Sequence, residues 1–381
     1  MNDDIKRREL LFSAAALAGA AGLMASREAL AAVGKGADKI DQRNDGTYST
    51  VELIKPVWNL GVMQSRVRAV QMDNYKREIA DNLAHMLDLI DKTFYYGPKP
   101  DVLFFHEFPL TGWQRWSRDE ILKFAIEVPG EETEKIAAKA RQYNSWIVFG
   151  SYVRDKDWPG HVLSITTIID NKGQIAAKHW KARNIKGGFA SGFELFTTTI
   201  YDALDRYIEM YGVDEVIPVT RTPLGNLCTS SIQREPELFR AMAFKGAEVI
   251  LRTASGGFTP LDIQATSLYN NVYTAVVNNS VSPGNKNFFA DSGSGSGGSA
   301  IYGPDGKAVA EAAGKEEQLI VANIPIGAFR ARRRQPIVHM ELYRDVFATY
   351  QSRYGPNLFA GYQPSSLEDA ASYLRDKGRW K

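Results

Sequence analysis

Glu107, Lys181 and Cys228 each stand at the border of an apolar run, and together they supply what acyl transfer requires: a base, a fixed cation and a nucleophile. Glu107 follows Phe104-Phe105-His106 directly, at the carboxyl end of an apolar strand pattern. In α/β sheets that end is where ligand sites form. A carboxylate between apolar walls gains proton affinity by desolvation, which suits a base working near neutral pH. Strand-end glutamates also cap loops, so Glu107 alone decides nothing. Lys181 ends Lys178-His179-Trp180-Lys181 and adds a cation at the end of another strand. Cys228, the single cysteine, follows Pro223-Leu224-Gly225-Asn226-Leu227 and precedes Thr229-Ser230-Ser231. A buried cysteine is usually a small hydrophobe. This one lies where apolar sequence turns polar shortly before a helix, whose N-terminus favours a thiolate.

The elements that must position these residues alternate along the chain. Val67, Ala69-Val70 and Met72 read as a short opening strand. Ile79, Leu83, Leu87, Ile90 and Phe94 then recur at three- and four-residue steps, the mark of an amphipathic helix. Val102–Phe105 reads as a buried strand, 131–143 as a helix and 146–153 as a strand. Ile165–Ile169 and Gln174–Lys178 flank Asn171-Lys172-Gly173, a hairpin pattern. A helix over 235–245 carries Pro236 in its first turn. Val249–Leu251 is a strand, 262–271 a helix, 272–277 a strand, and a last hairpin turns at Pro304-Asp305-Gly306 before Leu319–Ile324. The class is α/β with layered helices and sheets. Residues 185–216 read as an insertion bearing Phe189, Phe193, Phe196, Tyr201, Tyr207 and Tyr211, either a lid or pocket wall, or a surface excursion or subunit contact. Gly293-Ser294-Gly295-Ser296-Gly297-Gly298-Ser299 lacks the Gly-Lys-Ser/Thr ending of a phosphate loop and reads as a flexible lead into a strand.

Composition narrows the class. The chain has 381 residues, 44% hydrophobic and 24% charged, so disordered, collagen-like and coiled-coil readings fall away. Its 46 basic and 44 acidic residues leave a net charge of +2, no footprint for nucleic acid. One cysteine cannot form an internal disulfide, and no Cys/His cluster spells a structural zinc site. At the N-terminus, Arg7 and Arg8 precede a mild Ala-rich stretch and Ala29-Leu30-Ala31 offers a cleavage site, similar to a twin-arginine export signal. The apolar run is about 16 residues, short of the ~20 that a membrane span needs. The expected organisation is a signal over 1–31, an N-terminal arm over 32–64, a catalytic domain over 65–330 and a C-terminal extension over 331–381 that makes oligomer contacts. Export points to the periplasm without a stable membrane anchor.

The order Glu107, Lys181, Cys228 resembles the nitrilase (carbon–nitrogen hydrolase) superfamily over about residues 65–330. Arg66–Met72 is similar to its opening strand, Phe105–Trp113 to its glutamate motif and Lys178–Lys181 to its lysine motif. Pro236–Arg240 with Lys245–Ile250 resembles the stretch after its cysteine, and Asn270–Tyr273 and Gly303–Gly306 its later landmarks. The resemblance implies an α-β-β-α sandwich that dimerises or builds larger homo-oligomers. It also implies hydrolysis of a non-peptide C–N bond in a small carboxamide or N-carbamoyl compound, through a thioester on Cys228 and with no metal or organic cofactor. In that scheme Glu107 is base and then acid, and Lys181 stabilises the oxyanion. The family's second glutamate would be Glu194. The family's proline usually follows the cysteine by six residues, whereas Pro236 follows Cys228 by eight, so an ungapped count puts Ser230 in the nucleophile's place. Residues two apart on a strand share a face, which leaves Cys228, Ser230 and no covalent step all open. Thr229-Ser230 after the cysteine, where nitrilases carry Trp-Glu, disfavours nitriles as substrates. Two other functions fit the same residues: an exported ligand-binding protein with a lapsed nucleophile, and an acyltransferase using the same acyl-enzyme.

Overall fold

Strands made of Val, Leu, Ile and Phe with little polar alternation must be covered on both faces, and two packed sheets with helices outside them satisfy that requirement. The computed structural model describes residues 39–187, 192–282 and 295–380 and takes this form. In chain order the strands are β1 (Trp58–Gln64), β2 (Val102–Phe105), β3 (Trp146–Val153), β4 (Leu163–Ile169), β5 (Ile175–Trp180), β6 (Thr220–Thr222), β7 (Gly225–Ser230), β8 (Val249–Thr253), β9 (Tyr273–Val277), β10 (Ala300–Tyr302), β11 (Ala308–Glu311) and β12 (Gln318–Ile324). One sheet has the order β12-β1-β2-β3-β4-β5 and the other β11-β10-β9-β8-β7-β6. β1, β2 and β3 are parallel, as are β7, β8 and β9.

Strand parity sorts side chains into layers. Leu60, Val62, Val102, Phe104 and Val148 of the first sheet meet Leu227, Val249, Leu251 and Ala275 of the second in one buried cluster between the sheets. The alternate residues Met63, Leu103, Phe105, Ile147 and Phe149 point outward and pack under the helices Tyr75–Tyr96 and Glu131–Tyr143, through Leu83, Met86, Ile90 and Ile136. On the far side, Cys228 and Ile250 pack under the helix Pro236–Phe244, through Leu238, Phe239, Met242 and Ala243. The helix Pro260–Asn270 covers the neighbouring strip through Ile263. The expected α-β-β-α sandwich is the observed fold.

One element lies elsewhere than expected. The opening strand is Trp58–Gln64, inside the stretch read as an arm, whereas residues 65–71 form no regular element. β1 sits between β12 and β2, paired from Trp58↔Ile324 to Gln64↔Gln318, and nearly all of it is buried. Burial on both faces removes the polar alternation that would have flagged it, while Val67, Ala69 and Val70 are buried as a loop. The preceding arm is also built in: the Tyr48 hydroxyl donates to Glu248 Oε1 at 3.0 Å and Asn226 Nδ2 donates to the Ser49 carbonyl at 2.8 Å.

The insertion and the C-terminal extension pack on each other. Asn357 N–H donates to the Tyr201 carbonyl, Phe359 N–H to the Asp202 carbonyl and Glu194 N–H to the Leu367 carbonyl, at 2.9, 3.1 and 2.9 Å. Phe196 of the insertion shares a buried cluster with Phe359, Leu367, Ala370 and Leu374 of the extension and with Phe108 and Tyr152. Residues 351–374 therefore belong to this chain's own fold, while Ile337, Leu342, Val346, Phe347 and Tyr350 are exposed. The export-signal segment, Phe189 and residues 293–294 lie outside the described residues. Among the described residues, no helix is long and apolar enough to cross a membrane.

Candidate functional site

β2 ends at Phe105, and the two residues beyond it release Glu107 from the strand's in-out alternation. Its backbone is nevertheless held. Gly150 of β3 donates its N–H to the His106 carbonyl at 3.0 Å, and a Cβ on Gly150 would stand 2.7 Å from Glu107 Cα. Only a glycine leaves room for the chain to turn here. β5 is antiparallel to β4, which is antiparallel to β3, so β5 runs in the direction of β2 and Lys181 emerges at the same edge as Glu107. The Lys181 N–H donates to the Ser164 carbonyl at 2.8 Å, so the backbone at this lysine is fixed as well.

Lys181 Nζ donates to Glu107 Oε1 at 3.1 Å, both side chains largely buried. The other carboxylate oxygen, Oε2, accepts from Ser255 Oγ at 2.6 Å. Ser255 follows the end of β8 and comes from the opposite sheet. Its loop is pinned by Asn278, whose Oδ1 accepts from Gly256 N–H at 3.1 Å and whose Nδ2 donates to the Gly256 carbonyl at 2.9 Å. The same Nδ2 reaches the carbonyls of Gly295 and Gly297, so these two glycines brace the Ser255 loop. The Ala254 carbonyl accepts from Glu107 N–H at 3.5 Å and ties the two sheet ends together. Carboxylate, ammonium and hydroxyl thus converge on one point, with Ser255 partly exposed.

Aromatic side chains form one wall. Phe108 stacks on Tyr152 with ring centroids 4.3 Å apart, and Trp116 and Phe124 meet Tyr152 edge-on. Burial raises the Tyr152 phenol well above its usual range, and the Glu107 charge adds to that, so its proton stays in place. Behind the pair, His179 of β5 links the two sheets: Thr229 N–H donates to its Nδ1 at 3.2 Å, and its Nε2 lies 2.8 Å from Thr220 Oγ1. Because Nδ1 accepts, the proton of the neutral ring is on Nε2. Burial, with Lys245 secondary, holds this imidazole down at about 4.

The other expected site residues are placed differently. Cys228 is fully buried in the apolar cluster under the helix Pro236–Phe244 and, among the described residues, makes no hydrogen bond to Glu107 or Lys181. Burial pushes its thiol up to about 12, the reverse of the activation expected from a nearby helix N-terminus. Ser230 is also buried and its Oγ accepts from Ile232 N–H at 3.1 Å, closing a local turn. Glu194 accepts from Gly187 N–H at 2.6 Å, and burial raises its pKa; the structure does not join it to Lys181. Ser255 and Tyr152 went unmarked in the sequence. Ser255 had one usable cue, a hydroxyl two residues past an apolar strand. Among the described residues no group of three or more His, Cys, Asp or Glu side chains is placed to hold a metal ion. A cavity of about 390 Å³, lined by Asn271, Tyr273, Asp305, Arg332 and Arg333 among others, opens at the start of β9, the end of that sheet opposite to Ser255.

Known proteins place this architecture. A bifunctional nitrilase/nitrile hydratase from Nicotiana tabacum is 32% identical over 138 residues, which is 35% of this chain and 34% of that protein. Nitrilase 2 of Arabidopsis thaliana is 32% identical over 146 residues, 37% of each chain. The chain thus matches about a third of the length of these curated relatives. Among solved structures, an amidase from Nesterenkonia sp. superposes over 78% of this chain and all of its own, with TM-score 0.51 and 19% identity. The C. elegans NitFhit protein does so over 77% of this chain and 65% of its own, with TM-score 0.56 and 17% identity. At such identities the likeness concerns the fold. The model of the family described as carbon-nitrogen hydrolase matches residues 66–334, well over half of the chain, and the protein belongs to that family.

Proposed function

We propose that this protein hydrolyses a non-peptide C–N bond of a small molecule, a linear carboxamide or an N-carbamoyl compound, releasing ammonia or an amine. The observation that carries this reading is the buried Lys181–Glu107 contact at 3.1 Å, with the second carboxylate oxygen engaged by a hydroxyl at 2.6 Å. Lys181 is fixed where a carbonyl oxygen gains negative charge, and a donor so placed lowers the barrier by about 3–4 kcal/mol. Glu107 takes the proton of the attacking group and gives it to the departing amine, the usual double duty of a general base and acid. The nitrilase names of the plant relatives make nitriles the natural comparison substrates, and amides are the ones expected to turn over.

The test is ammonia release from a panel of small amides, N-carbamoyl amino acids and nitriles, run on wild type beside Glu107→Gln and Lys181→Ala. Turnover of amides that both substitutions abolish supports the reading; turnover indifferent to both removes it. A second reading, a ligand-binding protein that has lost catalysis, is favoured by the seclusion of Cys228. Under it, amides raise the melting temperature with no ammonia released.

Export by a twin-arginine-type signal to the periplasm and homo-oligomerisation belong to the same proposal. Exposed Leu261, Leu268 and Tyr269, with Val346 and Phe347 of the extension, offer apolar surface for a second copy. Arg7→Lys with Arg8→Lys is expected to hold the protein in the cytoplasm, and sedimentation of wild type is expected to give a dimer or larger.

A further inference from the structure

We propose that Ser255 is the nucleophile of this chain, with Glu107 as its base and Lys181 as the cation that meets the developing oxyanion. The inference rests on the C–N hydrolase reading above. A nucleophile must reach its base within hydrogen-bond distance. Among the described residues, the side chains hydrogen-bonded to the Glu107 carboxylate are Lys181 and Ser255. Lys181 is cationic when it fills the oxyanion role, which leaves the Ser255 hydroxyl, pointing its proton at Oε2 from 2.6 Å. Cys228 lies within β7 on the face turned to the helix Pro236–Phe244, and Ser230 closes its own turn with Ile232. Ser255 is partly open to solvent while Glu107 is buried, so a substrate meets the hydroxyl before the carboxylate. The two Asn278 bonds to Gly256 hold the loop in register, the support that a nucleophile on a loop requires.

The step balances without an added reactant. Ser255 Oγ forms a bond to the carbonyl carbon as its proton passes to Glu107 Oε2, and the carbonyl π pair moves onto the oxygen beside Lys181. Collapse of the tetrahedral adduct breaks the C–N bond. The amine leaves with the proton from Glu107, and an ester remains on Ser255. Water gives a proton to Glu107 and attacks that ester; the carboxylic acid departs and Ser255 Oγ recovers the proton.

The full chain treated with p-nitrophenyl acetate, or with a fluorophosphonate, and mapped by peptide mass is expected to carry the adduct on Ser255. Ser255→Ala removes that adduct, and Glu107→Gln slows its formation about 100-fold. Circular dichroism of each variant confirms that it is folded. Ser255→Cys provides a second arm: iodoacetamide is expected to inactivate it and leave wild type untouched, since the native Cys228 is sealed. An adduct on Ser230 or Ser231, or wild-type labelling of folded Ser255→Ala, overturns the proposal. Amide turnover retained in Ser255→Ala overturns it too while leaving the hydrolase reading intact. Labelling of Ser255 without turnover of any amide removes the substrate assignment and leaves the nucleophile.

Discussion

Glu107 and Cys228 occupy comparable places, each near the carboxyl end of a short parallel strand in one of two packed sheets and each buried. Their surroundings are opposite. Glu107 sits two residues past the end of β2, where the ladder no longer dictates which way a side chain points, and its carboxylate meets an ammonium and a hydroxyl. Cys228 sits inside β7 and pairs in register with Ile250 of β8, so it shares that residue's face and its apolar neighbours. A buried carboxylate without partners is costly, whereas a buried thiol is at ease as a hydrophobe. The contrast teaches that distance past the strand end, more than residue type, decides whether a reactive side chain is available.

The comparison breaks most visibly on the Glu107 side. Glu107→Gln keeps the shape and removes the base, and kcat is expected to fall by about 10²–10⁴-fold in a steady-state ammonia assay. Gly150→Ala acts on the same residue without touching its side chain. The added methyl would stand 2.7 Å from Glu107 Cα, the chain must shift, and a displacement near 1 Å is expected to cost about 100-fold. On the other side, Cys228→Ala is expected to leave kcat unchanged and to cost about 1–2 kcal/mol of stability in urea unfolding, the price of a small cavity. Iodoacetamide is expected to label Cys228 only once the chain unfolds; fast labelling of the native protein would reverse the comparison.

The smallest effect concerns the clasp between the sheets. Burial holds His179 at about 4 and His106 at about 3, against 6.5 for the free imidazole. Both fold in the neutral form, so the unfolded chain binds protons more readily. Their stabilising contribution is complete above about 6.5 and drains as the pH falls, down to about 4 for His179 and about 3 for His106. Protonating Nδ1 of His179 also breaks the bond from Thr229 N–H. Urea midpoints are expected to drop between pH 7 and pH 4.5, and His179→Gln to flatten that slope.

Much of this was legible in sequence because local pattern and local structure agree. The helices Tyr75–Tyr96 and Glu131–Tyr143, the hairpin of β4 and β5 and the strands β2, β3, β8 and β12 lie within a residue or a few of their expected positions. Trp58–Gln64 escaped because a central strand buried on both faces shows no alternation. The C-terminal extension, expected at a subunit contact, contributes Phe359 and Leu367 to the cluster that holds Phe108. Their apolar type was visible, and their destination was not.

The amino-acid sequence by itself determined the α/β class and marked Glu107 and Lys181 at strand ends, because period, turn chemistry and strand-end position are local properties; the sandwich and the family followed from the resemblance of its motifs. Tertiary structure alone decided what meets the Glu107 carboxylate. β2 and β5 lie three strands apart, about 14 Å at 4.8 Å per strand, and it is from just beyond the two strand ends that the side chains reach each other, Lys181 Nζ standing 3.1 Å from Glu107 Oε1. Ser255 comes from the other sheet, 148 residues away in the chain. No spacing encodes that meeting, since it follows from how two sheets stack, and the same stacking turned Cys228 away.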